Sequence, residues 1–130
     1  MKIHIIDDNY GEKFLLEKTF QNYDGSIELL FSRDGQEALS LLESIDSLPD
    51  LILLDLKMPR LSGIEFLQRL RKQEKIASIP VFIYSFSSEL SDKQESFQLQ
   101  VKQFYKKPTG LNELKAFIPK LLSDFNELKN

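Results

Sequence analysis

The chain has 130 residues, 42% of them hydrophobic and 28% charged, with a formal net charge of -3; that is enough for one ordinary globular core, so residues 1–130 are expected to form a single domain. The acidic balance argues against a nucleic-acid surface, which needs clustered Lys and Arg, and the absence of cysteine excludes disulfides and thiolate metal sites. No window approaches the roughly 18 apolar residues of a membrane span, and MKIHIIDDNYGEKF has the wrong order of charge and apolar run for a signal peptide, so a cytoplasmic protein without a membrane partner is expected.

In chain order, KIHII (2–6) is a short apolar run that ends on Asp7 and Asp8, and a helical pattern follows over 10–23 through Phe14, Leu15, Phe20 and Tyr23. IELLF (27–31) is the second run; Ala38, Leu41, Leu42 and Ile45 then recur at helical spacing. LILLD (51–55) closes on Asp55 and leads to a helix over 63–73 built on Ile64, Phe66, Leu67 and Leu70. PVFIYS (80–85) ends on Ser85, and the segment 88–101 after it has only Leu90, Phe97, Leu99 and Val101 as anchors, which predicts the least firmly held helix. QFYK (103–106) is the fifth run, and Leu114, Phe117, Ile118, Leu121 and Phe125 mark a last helix, where Pro119 predicts a kink or restart.

Apolar strands alternating with amphipathic helices predict an α/β fold. Strands without a polar face need cover on both sides, and right-handed crossovers supply it, giving a doubly wound (βα)5 sandwich around a parallel five-stranded sheet of order 2-1-3-4-5. In such sheets ligands bind beyond the carboxyl ends of the strands. Those ends carry Asp7, Asp8, Asp55, Ser85 and Lys107. Three carboxylates crowded at one rim resist joint ionisation unless a cation neutralises them. Hard oxygen donors with no His or Cys beside them select Mg2+, or Mn2+, over zinc. The competing reading is that Asp8 or Asn9 merely caps the helix from Tyr10, as Asp34 does for the next helix. Asp55 escapes it, because Pro59 and Gly63 follow and no helix begins there. His4, the one histidine, lies inside the first strand and reads as a packed side chain.

IHIIDDN, DLILLDLKMPRLSGIEFLQRLR, IPVFIYSFSS, FYKKP and SRDGQEALSLL together resemble the receiver domains of two-component response regulators, of the single-domain chemotaxis type, over nearly the whole chain. The resemblance implies a flavodoxin-like fold in which Asp55 accepts a phosphoryl group from the phosphohistidine of a sensor histidine kinase or histidine phosphotransfer protein. Asp8 would bind Mg2+ directly, Asp7 through a water, and the Lys57 carbonyl would complete the protein's share. Lys107, rather than Lys106, would face the phosphoryl group, since it directly precedes the proline. Ser85 would bond a phosphoryl oxygen, and Phe104 would change rotamer with it. Signalling would pass to a downstream protein that the sequence does not name, from a monomer or weak dimer, with no output domain and no enzymatic activity beyond the domain's own phosphorylation and dephosphorylation.

The sequence departs from the family at Phe86, where a small residue is usual, and at Gln100-Val101, where Gly-Ala is usual. Three rivals are weaker. A dehalogenase-type phosphatase needs an acid two residues after the nucleophile, where Lys57 stands; a flavodoxin needs a phosphate-binding first loop, where DDNYG is acidic. A receiver-fold binding module that is not phosphorylated would normally lack an acid or the lysine.

Overall fold

The computed structural model describes residues 1–86 and 90–128. Among these the chain alternates strand and helix throughout: β1 (Lys2–Ile6), α1 (Tyr10–Tyr23), β2 (Glu28–Ser32), α2 (Gly35–Ser44), β3 (Leu51–Leu54), α3 (Gly63–Arg71), β4 (Val81–Ser85), α4 (Leu90–Gln98), β5 (Gln103–Lys106) and α5 (Leu111–Leu128). The strands pair in parallel in the order β2-β1-β3-β4-β5, as expected from the uninterrupted apolar runs of the central strands. No described helix is long and apolar enough to cross a membrane.

Strand alternation divides the core in two. Ile3, Ile5, Leu51, Leu53 and Phe82 pack with Leu16 and Phe20 of α1 and Leu114, Ile118 and Leu121 of α5. Ile6, Ile52, Leu54, Val81 and Ile83 turn to the other face, against Leu39 and Leu42 of α2 and Phe66, Leu67 and Leu70 of α3. Helix α4 is held loosely: Ser96 is its only buried residue among those described, and Leu90 and Phe97 are exposed. That agrees with the sparse anchors of segment 88–101, of which residues 88 and 89 lie outside the described part.

Of the kink or restart expected at Pro119, the restart does not occur: helix α5 is continuous through it, with Pro119 on the exposed face, where the lost backbone bond does not disturb the core. Where Gly-Ala is usual in the family, Gln100 itself takes the left-handed conformation after α4, at φ 66. The Val101 and Gln100 amides donate to the Ser96 and Phe97 carbonyls at 3.2 and 3.0 Å, the bonding of a Schellman cap. The Arg71 guanidinium binds the Leu99 carbonyl at 3.0 Å and those of Ala77 and Ile79 at 2.9 Å. These bonds offset the cost of about 1 kcal/mol that a side chain incurs in that conformation.

His4 is fully buried, its Nε2 2.7 Å from Ser32 Oγ, and burial pushes its pKa down from 6.5 to about 4. The unfolded chain therefore takes up a proton that the folded one refuses. Stability from the neutral ring is complete above pH 6.5 and is lost as pH falls toward about 4, amounting to on the order of 3 kcal/mol. In urea unfolding from pH 7 down to 4, wild type should lose stability relative to His4→Leu by that order; parallel curves would show that His4 does not titrate in the window.

Candidate functional site

The register of the sheet sets the site. Beyond the ends of β1, β3 and β5 the ladder continues by one residue. The Asp7 amide donates to the Ser32 carbonyl, the Asp55 amide to the Ile6 carbonyl and the Lys107 amide to the Ser85 carbonyl, each at 3.0 Å. The ends of β1, β3 and β5 thus present Asp7, Asp55 and Lys107 on one rim, with Ser85 of β4 between the last two. The helix caps free the acids for it. Asn9 caps α1 by accepting from the Glu12 amide, as Asp34 does for α2 and Ser62 for α3, so neither Asp7 nor Asp8 serves as a cap. One carboxylate oxygen from each of Asp7, Asp8 and Asp55 falls within 4.8 Å of the others; Asp8 is exposed, Asp7 and Asp55 buried.

Lys107 enters this cluster, whereas Lys106 points outward and is exposed. The Lys107 Nζ lies 3.0 Å from Asp55 Oδ2, 3.1 Å from Asp7 Oδ2 and 2.7 Å from Glu12 Oε2. The Tyr84 and Phe86 rings flank it, their centroids at 5.1 and 5.0 Å, within reach of a cation–π attraction. Burial works against the Lys107 charge, but Glu12, Asp55 and Asp7 outweigh it and raise its pKa above the ordinary lysine value.

The acids divide. Burial raises Asp55 above the usual carboxylate range, and Lys107 only partly offsets this. Burial also pushes Asp7 upward, yet its contacts with Glu12, the Tyr84 hydroxyl, Lys107 and the Asn9 amide hold it below the usual range. Glu12 is raised to about 7, by burial first and by Asp7 next, against the pull of Lys107. Tyr84 donates its hydroxyl proton to Asp7 Oδ2; burial, then the Asp7 charge, keep that phenol protonated.

The loop after Asp55 is fitted closely. The Lys57 amide donates to Asp55 Oδ1 at 3.3 Å and the Gly63 amide to the Leu56 carbonyl at 3.0 Å. A Cβ on Gly63 would meet Leu56 Cα at 2.7 Å and the Asp55 carbonyl at 2.8 Å, so the loop passes α3 only because that residue is glycine. Arg60 has φ 64 and is tied to the buried Asp34 at 2.8 Å. The Lys57 side chain reaches Asp92 of α4 at 3.4 Å.

Ser85 is buried at the end of β4 on the same rim. Phe104 is half-buried against the α2–α3 face of the core, with the Lys93 ammonium 5.8 Å from its ring. The sequence reading missed Glu12 and Tyr84. Glu12 lies four residues after Asp8, one helical turn into α1, which places it over the same rim. Tyr84 precedes Ser85 on a buried strand, where its hydroxyl requires a partner.

All the anionic donors are carboxylate oxygens, one of them open to solvent, so the set fits a hard divalent cation that keeps several waters.

Comparison with known proteins agrees with this arrangement. The chain is 35% identical over 121 residues to sporulation initiation phosphotransferase F of Bacillus subtilis, covering 93% of each chain. The structure superposes on the phosphorylated cyanobacterial phytochrome response regulator RcpA with a TM-score of 0.84 at 30% identity, covering 92% of this chain and 89% of that one. It superposes on the Mn2+-bound form of response regulator Rcp1 with a TM-score of 0.83 at 26% identity, covering 94% and 91%. Residues 3–119 match the response regulator receiver domain family. With its five-stranded sheet and its acidic rim, the chain belongs to the response regulator receiver domains of two-component signalling, which are signalling modules rather than classical enzymes.

Proposed function

We propose that Asp55 is the phosphoacceptor of this receiver. A phosphohistidine of a sensor kinase or phosphotransfer protein would be the donor, Asp7, Asp8, Asp55 and the Lys57 carbonyl would hold Mg2+, and a protein partner would read the change that follows. The observation that carries the reading is the contact of the Lys107 ammonium with Asp55 at 3.0 Å, beside two further aspartates. An Asp55 oxygen attacks phosphorus as the bond to the nitrogen of the donor's imidazolium, protonated at its other nitrogen, breaks, leaving an acyl phosphate on Asp55 and neutral imidazole on the donor. Such transfer depends mainly on alignment and on charge stabilisation. Mg2+, when bound, neutralises charge on the transferring oxygens. Lys107 supplies a fixed positive charge on the other side, and Ser85 would donate a hydrogen bond to one phosphoryl oxygen. Loosely held α4 and Phe104 beneath it are the parts best able to move in response.

The test is beryllofluoride uptake and melting with and without Mg2+. Wild type should take up beryllofluoride only with Mg2+, and Asp55→Asn should take up none. Because burial raises Asp55, Asp55→Asn should melt at or above the wild-type temperature without Mg2+. Mg2+ should stabilise wild type but neither Asp55→Asn nor Asp8→Ala. A wild type that binds neither ligand would instead be a protein-binding module that is not phosphorylated.

Phe86 bears on the rate. Its ring covers the Lys107 ammonium rather than folding away, and it stays half-exposed at the rim. It would hinder both water and small phosphodonors, so Phe86→Ala should speed acyl-phosphate hydrolysis and labelling by acetyl phosphate by about fivefold or more. Unchanged rates would remove Phe86 from the control of lifetime.

A further inference from the structure

We infer that Glu12 is a positioning residue that competes with the phosphoryl group for Lys107. The inference rests on the phosphoacceptor reading above and adds a step to it. An ammonium has three N–H donors, and three carboxylates already stand around Lys107, those of Glu12 at 2.7 Å, Asp55 at 3.0 Å and Asp7 at 3.1 Å. The Tyr84 and Phe86 rings occupy further approaches. A phosphoryl group on Asp55 takes over the Asp55 contact but brings more negative charge than the carboxylate it replaces, so it competes for the ammonium with the other two carboxylates.

The three are not held alike. Asp55, as the acceptor, hands its contact to the phosphoryl group it carries. Asp7 is fixed at both oxygens, by the Tyr84 hydroxyl at Oδ2 and by the Asn9 amide at Oδ1. Glu12 Oε2 is buried against Lys107 and has no other hydrogen-bond donor among the described residues. When ionised it is repelled by Asp7, which it can bond only in its protonated form. The Glu12 side chain is 24% exposed and sits on the first turn of α1, so a rotamer change carries the carboxylate into water. Glu12 is therefore the partner that leaves when an anion arrives on Asp55. While it stays, its charge stands about one ammonium's width from the incoming group, and the resting state is favoured over the phosphorylated one.

This predicts opposite responses to two ligands, which a merely structural role for Glu12 would not give. Affinities of wild type, Glu12→Gln and Glu12→Met would be measured at pH 8, for Mg2+ alone by calorimetry and for beryllofluoride at saturating Mg2+ by fluorine NMR. Both variants should bind beryllofluoride about tenfold more tightly than wild type, because one nearby negative charge is gone. Both should bind Mg2+ alone no more tightly than wild type, because that same charge favours a cation. Equal weakening of both ligands would mean that Glu12 only supports the fold at α1. Wild-type uptake of beryllofluoride with no gain in either variant would overturn the competition while leaving Asp55 as acceptor. No uptake by wild type would remove the phosphoacceptor reading and this inference together.

Discussion

Replacing Lys107 by methionine is expected to destabilise the metal-free protein by about 3–5 kcal/mol at neutral pH, the loss typical of leaving buried charge without its partner. The ammonium faces Asp7, Asp55 and Glu12 and its side chain is 4% exposed. Methionine fills much of the same volume, so the loss measures charge rather than packing. Two independent treatments should restore stability. Mg2+ should recover a large part, because a cation on Asp7, Asp8 and Asp55 takes over the neutralisation that Lys107 provided. Acid should help as well: without the lysine these carboxyls hold protons to a higher pH when folded than when unfolded, so stability rises as pH falls through their raised range. Urea unfolding of Lys107→Met at pH 8 and pH 5.5, with and without Mg2+, checks both. A variant as stable as wild type at pH 8 without Mg2+ would show that the three acids do not depend on Lys107.

Gly63→Ala is expected to cost about 3 kcal/mol, at the upper end of ordinary overpacking. The added methyl carbon would lie 2.7 Å from Leu56 Cα and 2.8 Å from the Asp55 carbonyl oxygen. Both belong to backbone on the strand-to-loop turn that carries Asp55, so relief requires moving Asp55 itself. Mg2+ affinity should fall together with stability, since the Lys57 carbonyl lies on the same loop. Gly110→Ala provides the comparison, because a methyl there meets nothing within 4 Å and stability should change little. Equal melting temperatures for the two variants would mean that the loop is free to shift and that Gly63 does not fix the position of Asp55.

Much of this was legible in the sequence because strand-end positions and helical spacing are local. LILLD marked the third strand and pointed to Asp55, and the resemblance of FYKKP to the family's lysine before proline separated Lys107 from Lys106. The capping ambiguity at Asp8 and Asn9 was not resolvable locally, since either residue can cap, and the structure gives the cap to Asn9. Glu12 and Tyr84 went unread for a different reason. Their contacts to Lys107 and Asp7 span more than half of the chain, and nothing in DDNYGEKF or FIYSF announces a partner near residue 107 or residue 7. The left-handed turn at Gln100 was not legible, because propensity disfavours it and Arg71, 29 positions earlier, supplies bonds that hold it. The effect of Pro119 likewise depended on which face of α5 it occupies.

The contact between Lys107 and Asp55 joins residues 52 positions apart, and Asp7 lies nearly as far again in the other direction. No short fragment holds the site, so it comes into being only with the long-range pairings of the sheet, which are the slow events in assembling such a topology. Pairing of β1 with β3 brings Asp7 and Asp55 together, and the neutralising lysine arrives only with β5 at the sheet's edge. A chain that closes its centre before its edge passes through a stage in which two acids meet without a counter-ion. Divalent cations present during refolding would ease that stage, so the same acidic rim would make the folding rate depend on the cation supplied.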